Sequence, residues 1–340
     1  MSWVHRVCCI LLFSFFISEA FTQNPSDISG LRLWLRGDTG LTILGGKIQT
    51  WEDRSGSVNN AVQNTLGLRP TYVPSILNGY GGAQFDNLDD GMSTTLSLST
   101  DSFAIFVLYR NSNSSAVGRR AVQGGTANWL MGPHSGSYQM YANGFVTGPA
   151  ANSSKFVYQT CVQVPSVVKN YVNGALYGSL NTPSYPGLID LGASGLIANE
   201  SLEGEIVEVI AYNTFLKDSL RMIVEQYLHQ KYAPPVNLGP DITASNFCAV
   251  TLDASDRFTN YIWSPGGATT QTVSVNQSGT YSVTATDVFG ATSTDAVNVT
   301  YPGNFTPFPG NATTICAGSP VTWSTNLSPA SSYTFAWSTG

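Results

Sequence analysis

The chain has 340 residues, a formal net charge of −6 and only 11% charged residues. This acidic balance argues against nucleic acid as a partner, because nucleic-acid binding depends on Lys and Arg side chains that neutralise phosphates. A hydrophobic content of 42% is enough to fill buried cores, which argues against a disordered chain. The length predicts more than one domain.

The N-terminus has the pattern of a secretory signal peptide. An apolar run at 7–17 follows His5 and Arg6, and Ser18 and Ala20 are the small residues that a signal peptidase requires. The run is shorter than the roughly 20 apolar residues of a membrane-spanning helix, and no later segment approaches that length. We therefore predict a signal peptide over 1–20 and a secreted or cell-surface protein with no transmembrane segment. An uncleaved membrane anchor is the alternative.

Residues 25–235 are predicted to form one domain of antiparallel β-strands. Apolar and polar residues alternate at 31–36, which indicates a strand. The apolar run at 103–109 predicts a strand that is buried on both faces. Asn-Gly pairs at 143–144 and 173–174 lie between apolar segments and predict hairpin turns, because Asn and Gly accept positive φ angles.

A single helix is predicted near the end of this domain. Its apolar positions recur at i, i+3, i+4, i+7 and i+8, and they are Leu220, Ile223, Val224, Tyr227 and Leu228. Pro234 and Pro235 end the helix and mark a domain boundary. The strand before the helix contains Glu208 among apolar residues, and we expect this carboxylate to be partly buried with an ion-pair or hydrogen-bond partner.

The sequence changes character after the two prolines. Residues 236–301 contain short strands rich in Thr, Ser and Val, which predict a small β-sandwich. Residues 302–340 contain a linker and the start of a second copy of this module. The copies share their landmarks, since a Cys, a VTLDAS-like or SPVTWS segment and a YIWSPG-like or FAWSTG segment follow in the same order. We expect the natural protein to continue beyond Gly340.

Several motifs resemble those of bacterial laminin-G/concanavalin-A-like jelly-roll domains, which are common in secreted proteins of the Bacteroidetes type. They are GLRLWLRGDTG at 30–40, WEDRSGSVNNAVQ at 51–63, AQFDNLDDGMST at 83–94, YVNGALYG at 171–178 and the closing block at 202–232. The resemblance implies an all-β protein whose first domain is an antiparallel jelly-roll sandwich with one short C-terminal helix. Residues 236–301 look like the PKD-like or immunoglobulin-like modules that accompany such domains.

Cysteine usage indicates that packing, not a disulfide framework, holds the sheets together. Cys161, Cys248 and Cys316 remain after signal-peptide removal, which is an odd number. The modules that 236–301 resembles often carry a second cysteine near the position of Gly290, and its absence here puts an internal bridge to Cys248 in doubt.

Calcium is the predicted cofactor. Asp86, Asp89 and Asp90 lie together in FDNLDDG, and Asp53 lies in WEDRSG. Calcium prefers hard oxygen ligands from loops, and laminin-G-like sandwiches often hold calcium at a loop rim, so Asp53, Asp89 and Asp90 are the candidate ligands. The alternative is that these side chains cap turns by accepting backbone hydrogen bonds.

Aromatic residues outside the predicted core are candidates for ligand binding. Sugars stack their apolar faces on aromatic rings, and the candidate platforms are Tyr80, Trp129, Tyr138 and Tyr141. Trp34, Trp51 and Trp263 are predicted core residues.

No catalytic constellation is predicted. His134 lies in the loop GPHSGS, but no nucleophile-elbow motif accompanies it. Glu203 and Glu205 share one face of a strand, and we interpret them as part of the scaffold, not as a glycosidase pair. We therefore predict that this region is not an enzyme.

The predicted function is extracellular recognition or adhesion. The first domain would bind a glycan or a surface protein, and the later modules would act as spacers. Two alternatives stay open, namely the non-catalytic targeting region of a larger secreted hydrolase or peptidase, and a purely structural surface protein.

Overall fold

The computed structural model describes residues 24–99, 102–112, 118–181, 183–193, 200–245 and 248–302. The predicted signal peptide, Cys316 and all but the start of the predicted region 302–340 lie outside the described residues. Contacts between Cα atoms divide the chain after Pro234 into two compact units, which are described separately.

The first unit consists of antiparallel strands and one α-helix. Its strands are β1 (Leu31–Arg36), β2 (Leu41–Leu44), β3 (Lys47–Trp51), β4 (Ala61–Val62), β5 (Thr71–Leu77), β6 (Tyr80–Asp86), β7 (Gly91–Leu98), β8 (Phe103–Asn111), β9 (Val122–Gly124), β10 (Trp129–His134), β11 (Ser137–Ala142), β12 (Phe145–Ala150), β13 (Phe156–Val164), β14 (Val167–Val172), β15 (Ala175–Asn181), β16 (Gly187–Gly192) and β17 (Glu203–Tyr212). The helix is α1 (Asp218–Tyr232), and short 3-10 segments lie at Pro25–Asp27 and Leu66–Leu68.

The strands form two layers around one core. In the first layer β17 pairs with β1, β6 and β8, and the layer continues through β13, β14 and β15. In the second layer β16 pairs with β7 and β9, and the layer continues through β10, β11 and β12. The pairing of β3 with both β4 and β5 joins the layers at one side. The unit is therefore an all-β sandwich, as the sequence predicts.

The predicted hairpins and core residues are confirmed. Asn143 and Asn173 have positive φ angles of 66° and 48° in the turns β11–β12 and β14–β15. Trp34, Trp51 and, in the second unit, Trp263 are buried. Burial of such large apolar side chains supplies most of the stabilisation of a sandwich core.

The outer face of the first layer is also buried, because α1 lies across it. Phe106 of β8 contacts Tyr212 of β17 with ring centroids 6.2 Å apart, and Trp34 meets Tyr227 of the helix at 5.8 Å. The strand at 103–109 is therefore covered on both faces, which confirms the prediction made from its continuous apolar run.

The expected partner of Glu208 comes from α1. The carboxylate is 1% exposed and accepts hydrogen bonds from Trp34 Nε1 at 2.7 Å, from Lys231 Nζ at 2.7 Å and from the Tyr232 hydroxyl. A buried charge needs such partners. The contacts link β1, β17 and the C-terminal end of the helix.

A second buried polar group connects the two layers. The Gln159 amide of β13 accepts a hydrogen bond from the Tyr109 hydroxyl at 2.8 Å and donates to the Gln139 carbonyl of β11 and to Asn170 Oδ1, both at 2.9 Å. Asn170 Nδ2 in turn donates to the Val146 carbonyl of β12 at 3.1 Å. Side chains of the first layer thus satisfy backbone groups of the second.

The second unit is a small β-structure with its own core. Its strands are β18 (Ile242–Thr243), β19 (Val250–Asp253), β20 (Asn260–Ser264), β21 (Thr272–Val275), β22 (Gly279–Thr286) and β23 (Thr292–Thr300). β18, β23, β22 and β20 form one sheet, and β19 pairs with β21. Trp263, Val283 and Val297 lie in the core.

Two cysteines fall within the described residues, and Cys161 forms no disulfide. Cys161 is buried in the core of the first unit, whereas Cys248 is exposed in the second. Burial raises the pKa of the Cys161 thiol well above its usual range. Among the described residues, no helix combines the length and the hydropathy that crossing a bilayer requires.

Candidate functional site

Three aromatic rings meet on the outer face of the second layer. The Asn-Gly turn places Tyr141 of β11 directly opposite Phe145 of β12, with ring centroids 4.9 Å apart. The ring of His134, at the end of β10, lies 4.7 Å from Phe145. Phe145 is 47% exposed, and Tyr141 and His134 are partly exposed. We call this group of His134, Tyr141 and Phe145 the aromatic platform.

The strand period explains why these rings face outward. Side chains alternate between the faces of a strand, and Met140 and Val146 point into the core. Their neighbours Tyr141 and Phe145 must therefore point to the opposite face, where they are accessible to a ligand.

A fixed carboxylate lies beside the platform. Glu200 Oε1 is 3.9 Å from His134 Nε2, and Glu200 Oε2 accepts a hydrogen bond from Arg120 Nε at 2.6 Å. The buried Arg120 also donates to Asn128 Oδ1 at 2.9 Å. This ion pair orients Glu200, so that a hydrogen-bond acceptor and aromatic faces occur together.

The geometry around His134 does not match a hydrolytic triad. Ser135 Oγ is 2.9 Å from His134 Nδ1, but the 3.9 Å between Nε2 and Glu200 exceeds hydrogen-bond distance. A triad needs a carboxylate that is hydrogen-bonded to the imidazole and orients it. The other candidate carboxylate, Glu205, is held by Arg110 through bonds of 2.8 and 2.9 Å, in agreement with its interpretation as scaffold.

The four aromatic residues that the sequence predicts as ligand platforms lie in different places in the structure. Tyr141 belongs to the platform. Trp129 is 0% exposed and Tyr138 is 2% exposed, and both rings pack in the core against Phe103 and Tyr109 at 6.1 Å. A ring buried on both faces cannot stack on a sugar from solution, so we correct the predicted set by removing these two residues.

Tyr80 lies elsewhere, at the C-terminal end of α1. Its ring is 4.8 Å from that of Tyr232, and Lys231 Nζ lies 5.5 Å from its centroid. These contacts attach β6 to the helix, so Tyr80 is not brought together with Tyr141.

The acidic cluster predicted from FDNLDDG is present. Carboxylate oxygens of Asp86, Asp89 and Asp90 lie within 4.8 Å of one another. Asp90 is 1% exposed, and among the described residues neither of its oxygens has a hydrogen bond. Lys47 Nζ is 3.6 Å from Asp90 Oδ1. Burial and the nearby charge of Asp86 raise the pKa of Asp90 to about 6.

Asp53 does not join this cluster, which corrects the predicted ligand set. Its Oδ1 accepts hydrogen bonds from the backbone N–H groups of Trp34 at 2.9 Å and Ser55 at 2.8 Å. Its Oδ2 accepts from Ser55 Oγ at 2.8 Å and from the N–H of Asn59 at 2.9 Å. Asp53 therefore organises the loop that follows β3, and Asp86 takes its place among the candidate ligands.

Sequence reasoning missed Phe145, Glu200 and the role of His134 beside them. A signal for Phe145 was available in part, because the predicted hairpin at Asn143 brings Phe145 back towards Tyr141, but a two-residue turn would pair Phe145 with Ala142, and only the structure shows the pairing with Tyr141. No sequence signal was available for Glu200, because the parallel bridge of Arg120 with Ser201 brings together segments that are distant in the sequence.

Comparisons with known proteins give only weak structural likenesses. No family model matches the chain, and no curated protein matches its sequence. Among solved structures the chain is similar to a sialidase from Trypanosoma rangeli, with 15% identity and a TM-score of 0.45 over 60% of this chain and 33% of that one. The chain thus spans about a third of the length of the sialidase.

Two other domains give similar values. Domain 4 of AbnA, an extracellular GH43 arabinanase from Geobacillus stearothermophilus solved with arabinotriose, matches with 11% identity and a TM-score of 0.43, over 57% of this chain and 97% of that one. The binding domain of Paraclostridial Mosquitocidal Protein 1 matches with 12% identity and a TM-score of 0.46, over 78% and 65%. Likenesses at this level carry no functional argument for this chain.

Proposed function

We propose that the first unit is an extracellular carbohydrate-recognition module of the laminin-G/concanavalin-A-like type, and that its binding surface is the aromatic platform. The observation that carries the proposal is the contact of three partly exposed rings on the outer face of a hydrogen-bonded sheet. Protein–carbohydrate sites combine aromatic faces with a few fixed polar groups, and Glu200 supplies such a group beside His134.

The proposal concerns binding, not catalysis. The platform residues lie on three strands that pair in series, β10 with β11 and β11 with β12, which orients them without a ligand. A preorganised surface loses little conformational freedom on binding, and this favours recognition. The second unit, which has a core of its own, would then act as a spacer in a secreted or cell-surface protein.

We propose calcium as the cofactor of the acidic cluster. Three carboxylates supply the hard oxygen atoms that calcium prefers, and the buried oxygens of Asp90 lack hydrogen bonds within the described part of the chain. Asp86 and Asp89 would hold the ion together with Asp90, and its charge would offset the repulsion among them.

A glycan array with the full chain tests the proposal. Phe145→Ala and Tyr141→Ala should each reduce the apparent affinity for the bound glycans by about tenfold or more, because burying an aromatic side chain contributes roughly 1.5–3 kcal/mol. Phe215→Ala is a matched control, since Phe215 is also 47% exposed and lies near the start of α1.

Three results of the glycan array are possible, and each has a different meaning. Loss of binding in the two platform variants with retention in the Phe215 variant supports the platform as the binding surface. Equal binding by all variants shows that the glycan binds elsewhere, and a natural chain that binds no glycan on the array refutes carbohydrate recognition.

A further inference from the structure

A cleft lies on the opposite side of the first unit, between α1 and the β14–β15 turn. It has a volume of about 490 Å³, within the range of small-ligand sites. The helix contributes one wall, and Tyr158 and Gly174 contribute the other. Gly174 has a φ of +80° in the turn, and the absence of a side chain there keeps that wall low.

The floor of the cleft is a charged group whose members satisfy one another. Arg221 donates to Glu225 through Nη1 and to Asp218 Oδ1 through Nε at 3.2 Å, and its guanidinium lies 4.0 Å from the ring centroid of Tyr171. Glu225 also accepts a hydrogen bond from Thr160 Oγ1 at 2.8 Å. Side chains engaged in this way are fixed in position before any ligand arrives.

The rim of the cleft differs from its floor. Met222, Gln226 and Gln230 follow one another at intervals of four residues, so they form one ridge along the helix. All three are exposed. The ridge therefore offers two amides, which both donate and accept hydrogen bonds, and one apolar side chain at 57% exposure.

Charge limits the ligands that the cleft would accept. Arg221 and Glu225 line the cleft and pair with each other, and Arg221 also pairs with Asp218 beside the cleft, so these groups leave no excess positive charge for an anion. Neutral hydroxyl groups pair well with amides and with carboxylate oxygens, and an apolar sugar face can contact Met222. Phosphorylated and sulfated ligands would meet repulsion instead.

We propose that this cleft is a second ligand site that binds a short neutral saccharide, on the side of the sandwich opposite the aromatic platform. The ligand class rests on the proposed carbohydrate recognition, but the residues are independent of the platform. With two sites on opposite sides, one molecule could contact two glycan chains, and linked binding gains avidity from a high effective concentration.

The test is an array of neutral and acidic glycans with the full chain and two double variants. Gln226→Ala/Gln230→Ala removes the amides of the ridge, and Tyr141→Ala/Phe145→Ala removes the platform. Gln277→Ala is a matched control, because it removes the same amide from an exposed position in the second unit. Loss of two hydrogen bonds should weaken cleft-bound glycans by about tenfold.

Neutral glycans that the ridge variant loses and the platform variant retains would establish the second site. If every glycan binds the ridge variant as tightly as the natural chain, the cleft proposal is overturned while the platform proposal stands. If the cleft prefers acidic glycans, or if no neutral glycan binds the natural chain, the cleft proposal is overturned as well. Thermal melting of each variant, compared with the Gln277 variant, checks that the fold is intact.

Discussion

Replacing Lys231 with Met should strongly destabilise the first unit. Lys231 Nζ and Glu208 Oε2 are 2.7 Å apart, and their side chains are 9% and 0% exposed. The methionine keeps most of the aliphatic stem, so the main effect is to leave the buried Glu208 carboxylate without its cation. Removing one partner of a buried ion pair costs about 3–5 kcal/mol. Hydrogen bonds from Trp34 and Tyr232 remain, so we expect a value near the lower end, about 3 kcal/mol.

The assay is urea unfolding of the full chain, followed by tryptophan fluorescence. Trp34 donates directly to Glu208 and therefore reports on this site. The double variant Glu208→Gln/Lys231→Met should be less destabilised than Lys231→Met alone, because no unpaired charge remains. The loss should change little with salt, since buried pairs are poorly screened.

A loss of less than about 1 kcal/mol for Lys231→Met would refute this reasoning, because that is the range of exposed ion pairs. Additive effects in the double variant would have the same meaning. Either result would show that water reaches Glu208 despite its burial.

Two further predictions concern other buried groups. In chelator, Asp90 should lower the free energy of unfolding by about 2.4 kcal/mol as the pH rises from 4 to 7, because its pKa is about 6 in the folded state against 3.8 when unfolded. Asp90→Asn should abolish this contribution. Millimolar calcium should raise the melting temperature of the natural chain but not that of the variant. If the melting temperature of the natural chain is the same with calcium and with chelator, the metal proposal is refuted. Cys161 should react with a thiol reagent only in denaturant, because its thiol is buried in the core, and peptide mapping after brief labelling of the native and the denatured chain checks this.

Much of the first unit could be predicted because its local signals agree with its tertiary structure. The Asn-Gly turns fix their hairpins, and the continuous apolar run at 103–109 correctly indicated a strand covered on both faces. The helix pattern placed α1 within a few residues of its observed bounds.

The buried face of α1 shows where such patterns fail. Arg221 and Glu225 are buried, although a hydrophobic periodicity treats them as solvated. They are tolerated because they pair with each other and with Thr160, which lies 65 residues away from Glu225 in the sequence. A pairing of this kind depends on tertiary structure, so the cleft above it had no signal in the sequence.

The acidic residues show a similar limit. Spacing alone identified FDNLDDG, where the carboxylates are close in sequence and in space. Asp53 was grouped with them by residue type, but its oxygens accept hydrogen bonds from Trp34 of β1 and from its own loop. Only the path of that loop distinguishes the two cases.

The hydrogen bonds of the Gln159 amide help to fix the position of the aromatic platform relative to α1. An interface made of hydrocarbon alone would allow the two layers to slide by small steps at little cost, since apolar contacts have no preferred direction. Hydrogen bonds from Gln159 and Asn170 to the carbonyls of Gln139 and Val146 permit one alignment only. The hairpin that carries Tyr141 is thereby held at a fixed offset from the layer beneath α1. With leucine at position 159, we expect the protein to fold but the two layers to lose their single fixed alignment. The main loss would then be the precision of that alignment and not stability.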